Sequence, residues 1–148
     1  MSKIITITLN PCIDKSTAVP SLIADTKLRC GETKSEPRGG GINVSRARQK
    51  LGGNSTAWFL AGGYSGDFSI ELMKQKEIMY HPFKIKNETR DSLILLDKSN
   101  SNQYLFDFER PFVEEKEWRL FLEAIKNFNA ADNIVSVHTV SCLNFRGF

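Results

Sequence analysis

The stretch "EPRGGGINVSRARQKLGG", residues 36–53, sets three consecutive glycines beside an Asn at the mouth of a helical pattern. Without a Cβ, Gly39, Gly40 and Gly41 let a ligand or a second backbone approach the main chain closely. The helix that follows presents free N–H groups and the positive end of its dipole at that point. With the Asn43 amide alongside, the combination suits an anionic or hydroxyl-rich small molecule. Glycines alone do not separate that use from a tight strand-to-helix connection in an α/β domain. Metal chemistry finds less support. Cys12, Cys30 and Cys142 are odd in number and widely spaced, which makes neither a disulfide framework nor a ligand cluster. His81 and His138 have no second His or acidic neighbour at metal-binding spacing, so no metal ligands are expected.

The elements that position these residues follow from periodicity. "KIITITL" (Lys3 to Leu9) alternates and branches at Cβ, a strand that Asn10-Pro11 breaks. Asp14 falls just past its C-terminal end, where open α/β sheets bind ligands; on the residues alone a turn role serves Asp14 better. From Ile42 to Leu51, Val44, Ala47 and Leu51 recur at helical spacing, and Gly52-Gly53 ends the helix. "STAWFLA" (Ser55 to Ala61) reads as a buried strand closed by Gly62-Gly63. A second helix is expected to open at Gly66-Asp67 with Asp67 as N-cap. Strand–helix–strand–helix order predicts a parallel sheet. "DSLILLD" and "QYLFDF" form a hairpin around "KSNSN". Val113 to Phe128 is an amphipathic helix with Trp118, Phe121, Leu122, Ile125 and Phe128 on one core-facing stripe, and "NIVSV" is a further strand.

Composition sets bounds. The chain has 148 residues, 41% hydrophobic and 25% charged, which fits one folded domain and excludes a disordered chain. A net charge of +3, spread along the chain, does not single out nucleic acid. No apolar run is long enough to cross a membrane, and "MSKIITITLNPC" lacks a signal-peptide core. A cytoplasmic protein with no nucleic-acid or membrane partner is expected.

"TLNPCIDKS", "KLRC", "GGGINVSRARQKLGG", "AGGYSGD" and "TRDSL" occur here in an order and spacing that resemble the N-terminal half of the ribokinase-like PfkB sugar kinases, within them the phosphofructokinase branch. The resemblance covers residues 3 to about 135. It implies an α/β, Rossmann-type parallel sheet with a small β lid, here truncated, the lid drawn from residues 16–36 and 91–108. It implies that Asp14 accepts hydrogen bonds from sugar hydroxyls, since a carboxylate offers only acceptors. It implies that Gly39, Gly40 and Gly41 lie against the sugar, that Asn43 bonds a hydroxyl, and that Arg90 holds a substrate phosphate in its planar fork. It also implies that Lys27, in the lid, reaches the phosphate region of its own or a neighbouring subunit, and that two lids can pack into a homodimer. The position of Arg38 is commonly another glycine in such kinases, so an Arg there adds bulk and charge beside the pocket.

The family reaction moves the γ-phosphoryl of ATP, with Mg²⁺, onto a fructose phosphate. Its nucleotide site and catalytic Asp belong to a Gly-Ala-Gly-Asp stretch that this chain lacks, as it lacks a "GxxxxGK[ST]" loop. No catalytic residue is therefore assigned, and the chain alone is expected to be inactive. After "ADNIVSV" the family continues with a Ser-Gly-Ser-Leu-Pro type loop, whereas this chain reads "HTVSCLNFRGF". Residues 136–148 are thus expected to be a divergent tail, from a truncated gene or a shifted reading frame. A non-catalytic sugar-phosphate-binding or dimerising fragment is the alternative.

Overall fold

Isoleucine and threonine alternate through "IITIT", and this β-branched run forms β1 (Ile4–Thr8), an inner strand of the main sheet. The computed structural model of the chain describes residues 3–128 and 133–137. Beside β1 lie β4 (Thr56–Ala61) and β8 (Ile134–Val137), and β5 (Tyr80–Lys84) pairs with β4; every pairing is parallel. The odd positions Ile5 and Ile7 join Leu60, Ile85, Val113 and Phe121 in a core beneath α3 (Glu115–Asn127). On the opposite face, Ala57, Phe59 and Ala61 pack with Ile42 of α1 (Gly40–Lys50) and Met73 of α2 (Gly63–Gln75). Helices on both faces of a parallel sheet bear out the α/β reading.

The second sheet is built from β2 (Cys12–Val19), β3 (Lys34–Arg38), β6 (Arg90–Asp97) and β7 (Asn102–Asp107), in the order β3-β2-β6-β7. β2 and β6 run parallel, and β3 and β7 flank them antiparallel. The hairpin around "KSNSN" is present as β6 and β7. This sheet starts at Cys12 and ends β3 at Arg38, so it reaches past the 16–36 limits at both ends. Between its first two strands, residues 20–33 form no strand.

Three local expectations differ. In α1 the buried positions are Gly41, Ile42 and Ser45, while Ala47 and Leu51 are exposed. Ser45 can face the sheet because its hydroxyl bonds Thr6 at 2.8 Å and Ser55 at 2.9 Å, a polar chain that apolar periodicity does not register. α2 begins at Gly63 with Gly62 as N-cap, and Asp67 lies inside it, exposed. The distant Glu88 carboxylate accepts from the Tyr64 and Ser65 amides and so does the capping itself. In α3 Leu122 is exposed, and Glu117 is buried instead. Its carboxylate accepts from the Lys86 and Glu114 amides, the latter as part of a capping box. Of the tail, only Ser136 and Val137 are described, as part of β8; residues 138–148 lie outside the described residues.

Candidate functional site

Register gathers the charged residues. Cys12 of β2 lies opposite Arg38 of β3 on one side and Arg90 of β6 on the other. Residues opposite one another in a ladder, and those two apart on a strand, share a face. Arg38, Arg90, Cys12 and Asp14 therefore leave the same face of the second sheet. Asp14 thus sits on a strand of that sheet, not in the turn after β1.

On this face Asp14 is half-buried. Its Oδ1 accepts the Cys12 thiol at 3.3 Å, and Arg38 Nε lies 3.1 Å from its Oδ2. Burial first, and then the neighbouring Asp14 carboxylate, push the Cys12 thiol up to about 12, so at neutral pH it stays a neutral S–H donor. Arg90 Nη1 donates to Asp107 Oδ1 at 3.0 Å, and Arg90 Nε is buried with no hydrogen-bond partner among the described residues. Arg90 lines a pocket of about 420 Å³ with Asp107, Phe108, Glu109 and Arg110. Glu36, opposite Asp14, bonds Arg46 at 3.1 Å and Lys76 at 3.4 Å. Burial raises the Glu36 carboxyl, but Arg46 and Lys76 outweigh it and hold it below the usual range. That pairing ties β3 to α1 and to the end of α2.

β3 runs directly into the glycines. Gly39 has φ +150°, and a Cβ on it would overlap the Thr8 side chain. A Cβ on Gly41 would lie 2.7 Å from the Ile7 carbonyl oxygen. Two of the three glycines thus let α1 start hard against the end of β1, a need that exists whether or not a ligand binds. Thr8 completes the junction, its Oγ1 accepting the Ile42 amide at 3.1 Å. The amides of Gly40 and Gly41, in the first turn, donate to no acceptor among the described residues. Asn43, on the same turn, is exposed. The α2 N-terminus differs, because the Glu88 carboxylate already fills it. Of the two helix starts in this region, that of α1 is the open one.

The structure thus brings Asp14, Arg90 and the Gly39–Gly41 start of α1 around one end of the second sheet. Lys27 stands apart on the 20–33 connection, exposed and in none of the ion pairs found among the described residues. Sequence reasoning missed Asp107 as the partner of Arg90, Cys12 and Arg38 as partners of Asp14, and Thr8 as the acceptor of the Ile42 amide. Arg38 and Asp107 are brought in by strand register and Thr8 by the packing of α1 on β1, none of which a local motif encodes; Cys12 lies two residues from Asp14 on one strand.

The family model for pfkB family carbohydrate kinases matches residues 4–143. The chain is 36% identical over 125 residues to the ATP-dependent 6-phosphofructokinase isozyme 2 of Escherichia coli K12, which covers 84% of this chain and 40% of that protein. Among solved structures, phosphofructokinase-2 from Escherichia coli in complex with fructose-6-phosphate superposes with a TM-score of 0.85 at 33% identity, covering 93% of this chain and 45% of that one. The same enzyme in complex with substrates and products gives a TM-score of 0.89 at 31% identity, over 97% and 47% of the two chains. The chain therefore spans less than half the length of these relatives.

Proposed function

As the chain belongs to the pfkB family of carbohydrate kinases, we propose that it carries the sugar-phosphate side of an ATP-dependent phosphofructokinase. One observation supports this most: a half-buried carboxylate, a guanidinium aimed at a pocket and an open helix start meet at one end of one sheet. Asp14 takes hydroxyl donors from the sugar. The α1 start, Gly39 to Gly41, lies along it, and Asn43 bonds a further hydroxyl. Arg90 exchanges the exposed Asp107 for the substrate phosphate, whose two or more oxygens fit its fork better than one carboxylate oxygen. Lys27, apart from this group within one chain, reaches the phosphate region of a neighbouring subunit from the 20–33 connection. The substrate is a fructose phosphate, the 6-phosphate being the form bound in the relative.

ATP with Mg²⁺ supplies the transferred phosphoryl group in this reading. The Gly-Ala-Gly-Asp stretch that serves transfer in such kinases is absent from the 148 residues, so this chain alone binds and orients sugar phosphate without turning over ATP. Leu105, Phe106 and Phe108, exposed by 70%, 45% and 56% on and beside the β7 edge, support a homodimer through the second sheet, in a cytoplasmic protein.

Calorimetric titration with fructose 6-phosphate tests the site. Asp14→Asn is expected to weaken binding by about 10-fold or more, the worth of a charged hydrogen bond. Unchanged affinity removes Asp14 from the site. Sugar-dependent ATP consumption by the purified chain, free of host kinases, would overturn the assignment of transfer chemistry elsewhere.

A further inference from the structure

Both oxygens of Asp14 are already engaged within the protein. The Cys12 thiol holds Oδ1, and Arg38 Nε stands 3.1 Å from Oδ2. The Arg38 contact is an ion pair without a hydrogen bond, since Nε finds no acceptor along its N–H direction among the described residues. Arg38 ends β3 immediately before the three glycines, so its long side chain starts at the α1 entrance. The two partners differ in exposure: the Asp14 side chain is 17% exposed and that of Arg38 is 42% exposed. A ligand therefore reaches Asp14 along few directions, and Arg38 occupies one of them, its Nε buried at the carboxylate while the side chain as a whole stays partly open to solvent.

We infer that Arg38 is an internal competitor for Asp14 and sets the affinity of this site for hydroxyl ligands. The inference rests on the reading of Asp14 as a sugar-hydroxyl acceptor. A hydroxyl pair binding Asp14 displaces the guanidinium from Oδ2, and the ion pair lost is opposed by the new hydrogen bonds. Because the Arg38 side chain is 42% exposed overall and its contact with Asp14 is poorly aligned, the penalty is modest. Removing the Arg38 cation therefore tightens fructose 6-phosphate about two- to five-fold, the range of an exposed ion pair. The gain depends on Asp14: without its carboxylate there is nothing for Arg38 to occupy.

Calorimetry on the full chain with fructose 6-phosphate, in a four-variant cycle, separates the outcomes. Arg38→Ala is expected to bind two- to five-fold tighter than the parent, and Asp14→Asn/Arg38→Ala no tighter than Asp14→Asn. Arg38→Gln, which keeps the side-chain carbons from Cβ to Cδ and drops the charge, should show the same tightening and so guards against a loosened β3. If Asp14→Asn weakens binding but both Arg38 variants bind equally or more weakly, the Asp14 reading stands and the competitor role falls. A loss on removing Arg38 would make it a ligand-binding cation instead. If no variant binds, or Asp14→Asn is without effect, the site itself is wrong and Arg38 goes with it.

Discussion

Arg90 and Asp107 are joined by a 3.0 Å hydrogen bond from Nη1 to Oδ1, with the cation 15% exposed and its carboxylate partner 75% exposed. The asymmetry matters. The guanidinium is fixed in the sheet and lines the pocket, while the carboxylate sits in solvent at the edge strand. An exposed partner holds such a cation weakly, on the order of 1 kcal/mol or less, and a dianionic phosphate outcompetes it. Arg90→Ala is expected to weaken fructose 6-phosphate by roughly 10- to 100-fold, since charged hydrogen bonds are worth about 1.5–3 kcal/mol each. Unphosphorylated fructose should lose little. Titration of both ligands checks this, and equal losses would remove Arg90 from phosphate recognition.

The junction of β1 with α1 makes a prediction about stability. A methyl group at position 41 meets the Ile7 carbonyl at 2.7 Å, and neither backbone can move without parting α1 from the sheet. Gly41→Ala should destabilise the chain by about 1–3 kcal/mol, the cost of overpacking a tight contact. Gly52, where a Cβ meets nothing within 4 Å, is the control for crowding, although its φ of +78° carries a strain of its own. Urea denaturation of the two alanine variants gives the comparison. A Gly41→Ala midpoint that matches the parent's would show that the junction is loose.

Much of this fold was legible, and the residues show why. β1 and β4 are apolar or β-branched runs of strand length, and α3 carries an apolar stripe anchored by Phe121. Such elements announce themselves locally. The face of α1 was not legible, because Gly41 and Ser45 are buried by close backbone approach and by hydroxyl partners that lie on other strands. The start of α2 was missed for a related reason, as its cap comes from Glu88, some twenty residues later in the chain. For the site, residue types at Asp14, Gly39 to Gly41 and Arg90 were readable through motif order. Of their electrostatic partners, Arg38 and Asp107 follow from the register of neighbouring strands, and Cys12 shares the Asp14 face two residues along β2. Register is a long-range property, and a single sequence does not display it.

Asp97 organises the hairpin turn and makes it acid-sensitive. Its carboxylate accepts the Ser99 amide at 2.9 Å and hydroxyl at 2.6 Å, the Leu22 amide at 3.2 Å and the Asn100 side chain at 3.2 Å. The Ser99 hydroxyl above all, opposed by burial and then helped by the amides and Asn100, holds Asp97 below its ordinary value of 3.8. A depressed carboxylate stabilises the folded chain fully above that ordinary value and ceases to do so as pH falls through the lower folded one. The melting temperature of the parent should therefore exceed that of Asp97→Asn near neutral pH, with the gap closing only below about pH 3.8. A gap that does not change with acidification would mean that the carboxylate charge is irrelevant to the turn.

The two described cysteines should part company toward alkylating reagents. Cys12 is buried with its thiol at about 12, so at roughly pH 8 on the order of one in ten thousand is thiolate, whereas Cys30 is exposed. Mass spectrometry after iodoacetamide treatment of the folded chain should find Cys30 modified and Cys12 spared. Both should react in urea. Fast labelling of Cys12 under native conditions would mean that β2 opens readily and that the Asp14 face is not preformed.

The final prediction concerns the other edge of the main sheet. β8 pairs only with β1 among the described residues, and its Ile134 and Val137 are 54% and 58% exposed. Beside it, Ile7, Leu9, Trp118, Phe121, Leu122, Ile125 and Val137 line an apolar groove of about 300 Å³. A hydrophobic strand with one edge unpaired among the described residues, next to an apolar groove, is a template for strand addition by another chain. The purified chain should self-associate with increasing concentration. Ile134 is exposed, so Ile134→Lys puts a charge on the edge with little effect on the core beneath α3. That variant should raise the concentration at which light scattering appears several-fold while leaving the melting temperature close to the parent's. Were scattering to begin at the same concentration in both, association would have to proceed through another surface. The exposed Leu105, Phe106 and Phe108 around β7 would then be the next to receive a lysine.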